Sequence, residues 1–402
     1  MTNLQRRNTP KSFWLCEPSP PSETWLEAYR KAIPTLGISH KVDDIDTVTE
    51  LTLGEGQFGS GHWNLSPVKR MYYTLKSILP QSLRYALRRQ YKKFSKSRFL
   101  LHWPIEDRYV RFQYEVARQL LLILDQPSLS FRHFWPNGYR YGFILTHDVE
   151  TRDGQSYVRQ VADLEEDLGF RSSFNFVPER YELDINLIHE LRERGFEIGL
   201  HGLKHDGKLF NSKQIFMERA KLINRYLKEF DAIGFRSPLM MRNPDWMQVL
   251  EVEYDLSFFD TDPFEPIPGG AMSIWPFTIG HFIELPCTMP QDCTLAIDLN
   301  EITPRLWLKK LNFIRQHFGM VLINTHPDYL KETELWDVYV DFLHIMTGLE
   351  GYWHALPCEV AKWWRRRSDL SLSQKVPEIT YANLLLENEQ IHLELPGSIL
   401  SE

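Results

Sequence analysis

The chain has 402 residues, 43% hydrophobic and 25% charged, the proportions of a soluble globular protein whose core can hold one barrel of about 250 residues plus appended parts. A net charge of −7 argues against an overall nucleic-acid binder, and no run approaches the roughly 18 to 20 apolar residues that span a bilayer. The four cysteines, Cys16, Cys287, Cys293 and Cys358, lack the spacing of a zinc or redox motif and read as buried or indifferent thiols. Near the start, MTNLQRRNTPKSFWLCEPSPPSE places Thr, Pro, Lys and Ser where a secretory signal has its apolar stretch, so the expected location is cytoplasmic, with the inner face of the membrane as a candidate contact.

Residues 1 to about 65 show little periodicity beyond one short helix at Glu23–Ala32, and Gly54–Trp63 reads as loop. From 66 to 99 ten basic residues, Lys69 to Arg98, occur without an acidic one, and Leu83, Leu87, Tyr91 and Phe94 recur at helical spacing beneath them. Such a basic amphipathic segment at 69–98 can pack on the main domain as a solvated helix, or make peripheral contact with an anionic membrane surface or a lipid-linked phosphate. Another helix, Arg108–Leu124, is followed by an aromatic loop, FRHFWPNGYRYG.

After that loop the pattern becomes regular. Strand-length apolar runs fall at Gly142–His147, Ser173–Val177, Phe196–Leu200, Ile233–Arg236, Leu256–Asp260, Phe282–Cys287, Gly319–Thr325 and Tyr352–Leu356. Helical stretches separate most of them, at Tyr157–Leu168, Asp184–Arg194, Ser212–Phe230, Pro244–Glu253, Thr303–His317 and Glu334–Met346. This alternation fits parallel strands covered by helices, in a closed barrel or an open sheet. The polar residues favour the barrel. His147, Asp148 and Glu150 follow the first strand, His201 and His205 the third, Arg236 closes the fourth, Asp260 the fifth, Glu284 lies in the sixth and His326 follows the seventh. A closed ring brings all those strand ends together in one pocket, whereas an open sheet would gather ligands near one switch point and leave some ends remote. The expected architecture is therefore α/β: a distorted (β/α) barrel of about seven parallel strands at 140–367, a mainly helical N-terminal extension at 1–139 and a C-terminal β appendage at 368–402. That appendage contains a hairpin at Glu378–Leu395, turning at Glu387-Asn388.

His201 and His205 stand four positions apart on the exit from a strand, where two imidazoles can converge on one ion. They need a carboxylate from elsewhere, and the YGFILTHDVE run at 141–150 offers Asp148 and Glu150. His147, His189, His281, His317, His344 and His354 read as structural.

Taken in order, LTHDVE (145–150), HGLKH (201–205), FRSP (235–238), FFDTD (258–262), ELP (284–286) and INTH (323–326) resemble the polysaccharide deacetylase, or NodB-homology, carbohydrate esterases over about residues 140–365. The resemblance implies a metal-dependent hydrolase, zinc being the usual divalent metal, that removes N-acetyl groups from an acetylated glycan or a lipid-linked sugar precursor. It implies Asp148 as base, Arg236 as the residue holding that base, His326 as general acid oriented by Asp260 or secondly by Asp262, and Glu150, His201 and His205 as metal ligands. The family commonly has two adjacent aspartates in its first motif. Here Val149 separates Asp148 from Glu150, so either carboxylate can be the ligand. The alternative is a glycan-binding or scaffold barrel that has lost its metal and its catalysis.

Overall fold

The structure is a computed structural model describing residues 3–38, 44–65, 69, 71, 96–332, 334–369 and 377–395. Most of the basic segment at 66–99 lies outside the described residues, so neither reading of it is addressed. Among the described residues no helix is long and apolar enough to cross a membrane.

A short strand, β1 (Ser128–Arg132), replaces part of the expected aromatic loop and precedes β2 (Tyr141–Val149), which is buried along its whole length. Burial on both faces is what a strand meets in a parallel sheet wrapped by helices, and YGFILTHDV suits it by turning polar only toward its end. From β2 the parallel order runs through β3 (Ser172–Phe176), β4 (Glu197–His201), β5 (Gly234–Arg236) and β6 (Tyr254–Asp255). After β7 (Phe277–Ile279), an antiparallel hairpin arm, β8 (Phe282–Glu284) continues that order beside β6. On its other flank β2 pairs in parallel with β9 (Met320–Thr325), and its first residues also pair with β10 (Tyr352–His354).

The curl is brought back to its start by the chain just beyond β8. Cys287 bridges Phe259 in parallel, and the Met289 N–H donates to Leu322 O of β9 at 3.2 Å. Thr288 Oγ1 completes the seam, donating to Met320 O at 2.6 Å and accepting from Leu322 N at 2.9 Å. Seven parallel strands, β2, β3, β4, β5, β6, β8 and β9, thus form the expected distorted barrel. Its distortion lies in β5, β6 and β8, which are only two or three residues long.

The covering helices begin where hydrogen-bonding side chains satisfy the first free N–H groups. Thr151, Asp184 and Ser212 cap Arg152–Asp167, Ile185–Glu193 and Lys213–Glu229 in this way, at about 1 kcal/mol per cap. Two sequence expectations are corrected. The helix foreseen at Pro244–Glu253 ends at Met247, and the fifth strand is Tyr254–Asp255 rather than Leu256–Asp260. Tyr254 sets that register: its ring lies over Gly234, where a Cβ would come within 2.0 Å, and its hydroxyl donates to Glu197 Oε1 on β4 at 2.7 Å.

The terminal parts share the barrel's apolar core. Phe13 packs edge-on against Trp275 at 4.8 Å, and the Arg367 guanidinium donates to the carbonyls of Phe13, Arg132 and His133. The foreseen hairpin forms as β11 (Tyr381–Glu387) and β12 (Gln390–Glu394), turning through Asn388 and Glu389, both at positive φ as a tight hairpin turn requires. It pairs with β1, so segments from before and after the barrel build one three-stranded sheet.

Glu55, in the loop read as irregular, is fully buried and paired with Arg242 beyond β5 at 2.6 Å, with Trp63 and Phe258 against the guanidinium. Burial would raise the Glu55 carboxyl, but Arg242 and His62 hold it below its ordinary range. Removing one member leaves a buried charge without compensation, so Arg242→Met is expected to lower unfolding stability by about 3–5 kcal/mol in urea titrations, with most of that recovered in the double variant carrying Glu55→Leu. A single variant as stable as the parent would contradict this.

Candidate metal centre and hydrolytic site

The site lies at the C-terminal ends of the barrel strands, where the sequence placed it. β4 ends at His201, and Gly202 turns the chain at φ 64°, where a Cβ would fall within 2.3 Å of Pro238 from the FRSP run. The turn continues to His205, also left-handed at φ 51°, which brings its ring beside that of His201 with centroids 5.1 Å apart. Opposite them, Glu150 leaves β2 on a loop fixed by Asp328, which accepts from the Glu150 N–H at 3.2 Å and from the Thr151 hydroxyl. Gly154 lets Asp328 approach, since a Cβ there would lie 2.1 Å from its carboxylate.

Glu150, His201 and His205 each present one ligand atom, all within 4.8 Å of one another. Glu150 Oε1 lies 2.9 Å from His205 Nε2 and 3.8 Å from His201 Nε2. The ring nitrogens of His201 and the Nε2 of His205 are buried and lack an aligned hydrogen-bond partner. Buried polar atoms are normally satisfied, so the two Nε2 atoms, both turned toward Glu150 Oε1, mark a place for a further group, while His201 Nδ1 faces Asp148 at 3.8 Å. Burial holds the His201 imidazole below its usual pKa despite the pull of Asp148, keeping it neutral as a ligand must be. Glu150 is the most open of the three, its side chain 19% exposed.

Asp148 belongs to a different arrangement. It is 1% exposed and encased by donors from three other strands: Arg236 Nη1 (3.1 Å) and Asn175 Nδ2 (3.0 Å) on Oδ1, and Asn324 Nδ2 (2.9 Å) on Oδ2. Arg236 also donates to Asn324 Oδ1, Thr146 Oγ1 and Leu256 O. Burial would raise this carboxyl, but Arg236, His201 and His326 together with the Asn324 amide hold it well below the usual carboxylate range.

His326, 5% exposed, turns Nε2 toward both carboxylates, 3.9 Å from Asp148 Oδ2 and 3.8 Å from Glu150 Oε1. Its Nδ1 meets Asp292 Oδ1 at 2.7 Å, and Asp292 Oδ2 accepts the His326 backbone N–H at 2.7 Å. Burial lowers an imidazole's pKa, but Asp292 more than offsets it and holds His326 well above its ordinary value.

With this geometry in hand, no protein-family model and no curated protein matches the chain. Among solved structures, a candidate polysaccharide deacetylase from Mycobacterium smegmatis superposes with a TM-score of 0.47 at 17% identity, over 58% of this chain and 93% of its own. Puue allantoinase does so at 0.45 and 12%, over 58% and 92%. The peptidoglycan deacetylase PdaC from Bacillus subtilis reaches 0.39 and 14%, over 60% and 100%. Overlap this loose leaves the chemistry to be argued from the site itself.

Six of the seven residues singled out from sequence meet around one space: Asp148, Glu150, His201, His205, Arg236 and His326. Asp260 does not orient His326. The strand that was to deliver it ends at Asp255, and its carboxylate instead binds Lys310 Nζ at 2.7–2.8 Å, burial pushing it up to about 6 against the pull of that lysine. Asp262 is no substitute, since its Oδ1 caps the N–H groups of Phe264 and Glu265. Asp292 fills the role from a loop after β8, where no periodicity marks it. Asn175 and Asn324 were also missed as holders of Asp148, although Asn324 stands inside the INTH run. His147 is structural as expected, bonded to Thr325 and Glu165 at 2.7 Å each.

One outcome follows for the protein stripped of divalent cations. Since the folded pKa of His326 exceeds that of an unfolded histidine, near 6.5, its stabilising contribution is full below that value and disappears as pH rises through the folded one. NMR of the His326 ring is expected to show an imidazolium at neutral pH, and Asp292→Asn to bring the titration down. A ring already neutral at pH 7 in the parent would contradict the pairing.

Proposed function

We propose that the chain is a divalent-metal-dependent hydrolase that removes N-acetyl groups from a carbohydrate. The observation that carries this reading is the separation of duties around one space: a Glu150–His201–His205 cluster whose Nε2 atoms lack aligned partners, an encased ionised Asp148, and a His326 backed by Asp292. The motif order at 140–365 supports the sugar as substrate class.

The donor set fits a borderline cation such as zinc: two imidazoles and a carboxylate, three protein ligands with a side open to solvent through Glu150. Glu150 is the proposed ligand carboxylate, because the oxygens of Asp148 are already committed to Arg236, Asn175 and Asn324. A cation held there supplies Lewis acidity, lowering the pKa of water to roughly 7 and polarising a carbonyl oxygen.

An amide needs more than an activated water, because an amine leaves only once its nitrogen is protonated. Asp148, kept ionised by Arg236, accepts the water's proton, and its donors fix which way its carboxylate faces. His326 gives a proton from Nε2 to the departing sugar nitrogen, while Nδ1 keeps its proton, donated in a hydrogen bond to Asp292, which stabilises the charged ring beforehand. An acid standing ready as imidazolium beside a separate base suits an amide better than a phosphate or a bare hydration reaction.

Acetate release from N-acetylhexosamine oligomers, lost with chelator and restored by zinc, is the expected behaviour, with none from acetylated peptides. His201→Ala is expected to lose stoichiometric zinc, while Asp148→Asn and Asp292→Asn keep the metal and lower kcat by about 10²- to 10⁴-fold. Chelator-insensitive turnover, or full activity in Asp148→Asn, would contradict the proposal.

A further inference from the structure

Behind His326, on the side away from Glu150, lies a second set of ligand groups. Asp292, Cys293 and His326 are all buried, and one ligand atom from each lies within 4.8 Å of the others. The mechanism uses two of them and leaves the thiol without a part. Asp292 Oδ1 gathers the set, accepting from His326 Nδ1 at 2.7 Å and from the Cys293 N–H at 2.6 Å. Cys293 itself begins an unusually wide helical turn, Thr294–Leu299, and such turns recur at functional sites.

We propose that Asp292, Cys293 and His326 form a second, inhibitory site for a soft divalent cation such as zinc or cadmium. Carboxylate, thiolate and imidazole are all zinc ligands, and the sulfur tilts the choice away from magnesium, calcium and manganese, which prefer oxygen. Binding replaces the Asp292–His326 hydrogen bond: the cation takes His326 Nδ1, Cys293 Sγ and an Asp292 oxygen, and the Nδ1 and thiol protons go to solvent. The released protons and the lost hydrogen bond weaken this site, so it fills only after Glu150, His201 and His205 have taken their cation. Occupancy abolishes the acid. A ring bonded to metal through Nδ1 is no longer an imidazolium, and giving up its Nε2 proton would leave an imidazolate. The inhibitory consequence therefore rests on the function proposed for His326, whereas the binding itself does not.

X-ray absorption at the zinc edge separates the two. With one equivalent of zinc only nitrogen and oxygen neighbours are expected, and excess zinc adds a Zn–S path near about 2.3 Å. Cys293→Ser is expected to remove that path while keeping acetate release at one equivalent, and the variant carrying Cys16→Ala, Cys287→Ala and Cys358→Ala to retain it. Excess zinc should slow the parent about tenfold or more and Cys293→Ser hardly at all. No Zn–S path in excess zinc, or an undiminished path in Cys293→Ser, would overturn the site. A Zn–S path without acetate release at any zinc level would instead sink the deacetylase reading and leave the second site standing.

Discussion

A negative charge buried at the centre of the barrel is the constraint from which the rest follows. Asp148 is 1% exposed, and an isolated carboxylate in such a place would lose far more hydration than a fold of ordinary stability can offset. Its compensation comes from Arg236 on β5, Asn175 on β3 and Asn324 on β9. β3 and β9 flank β2 directly, whereas Arg236 reaches Asp148 from β5, beyond β3 and β4, because the sheet curls round on itself. Closing the ring and pairing Asp148 with Arg236 therefore go together, and the short seam of Thr288 and Met289 against β9 serves both.

The same compensation separates two carboxylates that stand two residues apart. Asp148 points into the barrel and is saturated with donors, while Glu150, one step out on the loop pinned by Asp328, faces two imidazoles that lack aligned partners. Strand alternation alone would put Asp148 and Glu150 on one face, but β2 ends at Val149 and the loop pinned by Asp328 carries Glu150 into different surroundings. The proposed base and the proposed ligand thus arise from one short run without competing for the same donors. A second buried ion pair, Glu55 with Arg242, anchors the N-terminal loop beside β5, so the extension is packed into the barrel rather than hung from it.

Much of this could be read from the chain because barrel strands announce themselves twice, by apolar runs and by polar residues at their ends. HGLKH was legible on both counts, as were LTHDVE, FRSP and INTH. The errors lie where tertiary pairing overrides local pattern. The fifth strand slid to Tyr254–Asp255 because the Tyr254 ring needs the space over Gly234, and that shift carried Asp260 away from His326 to Lys310. Asp292 sits on a loop without periodicity, so nothing local could join it to His326. β1 was invisible because its partner, β11, comes from the other end of the chain.

Anomalous diffraction at the zinc edge, from crystals grown with one equivalent of zinc, tests the central claim most directly. The account predicts one peak within about 2.0–2.2 Å of His201 Nε2, His205 Nε2 and a Glu150 oxygen, with Asp148 still bound by Arg236, Asn175 and Asn324. A peak bonded to Asp148 in place of Glu150, or no peak between the two histidines, would contradict it.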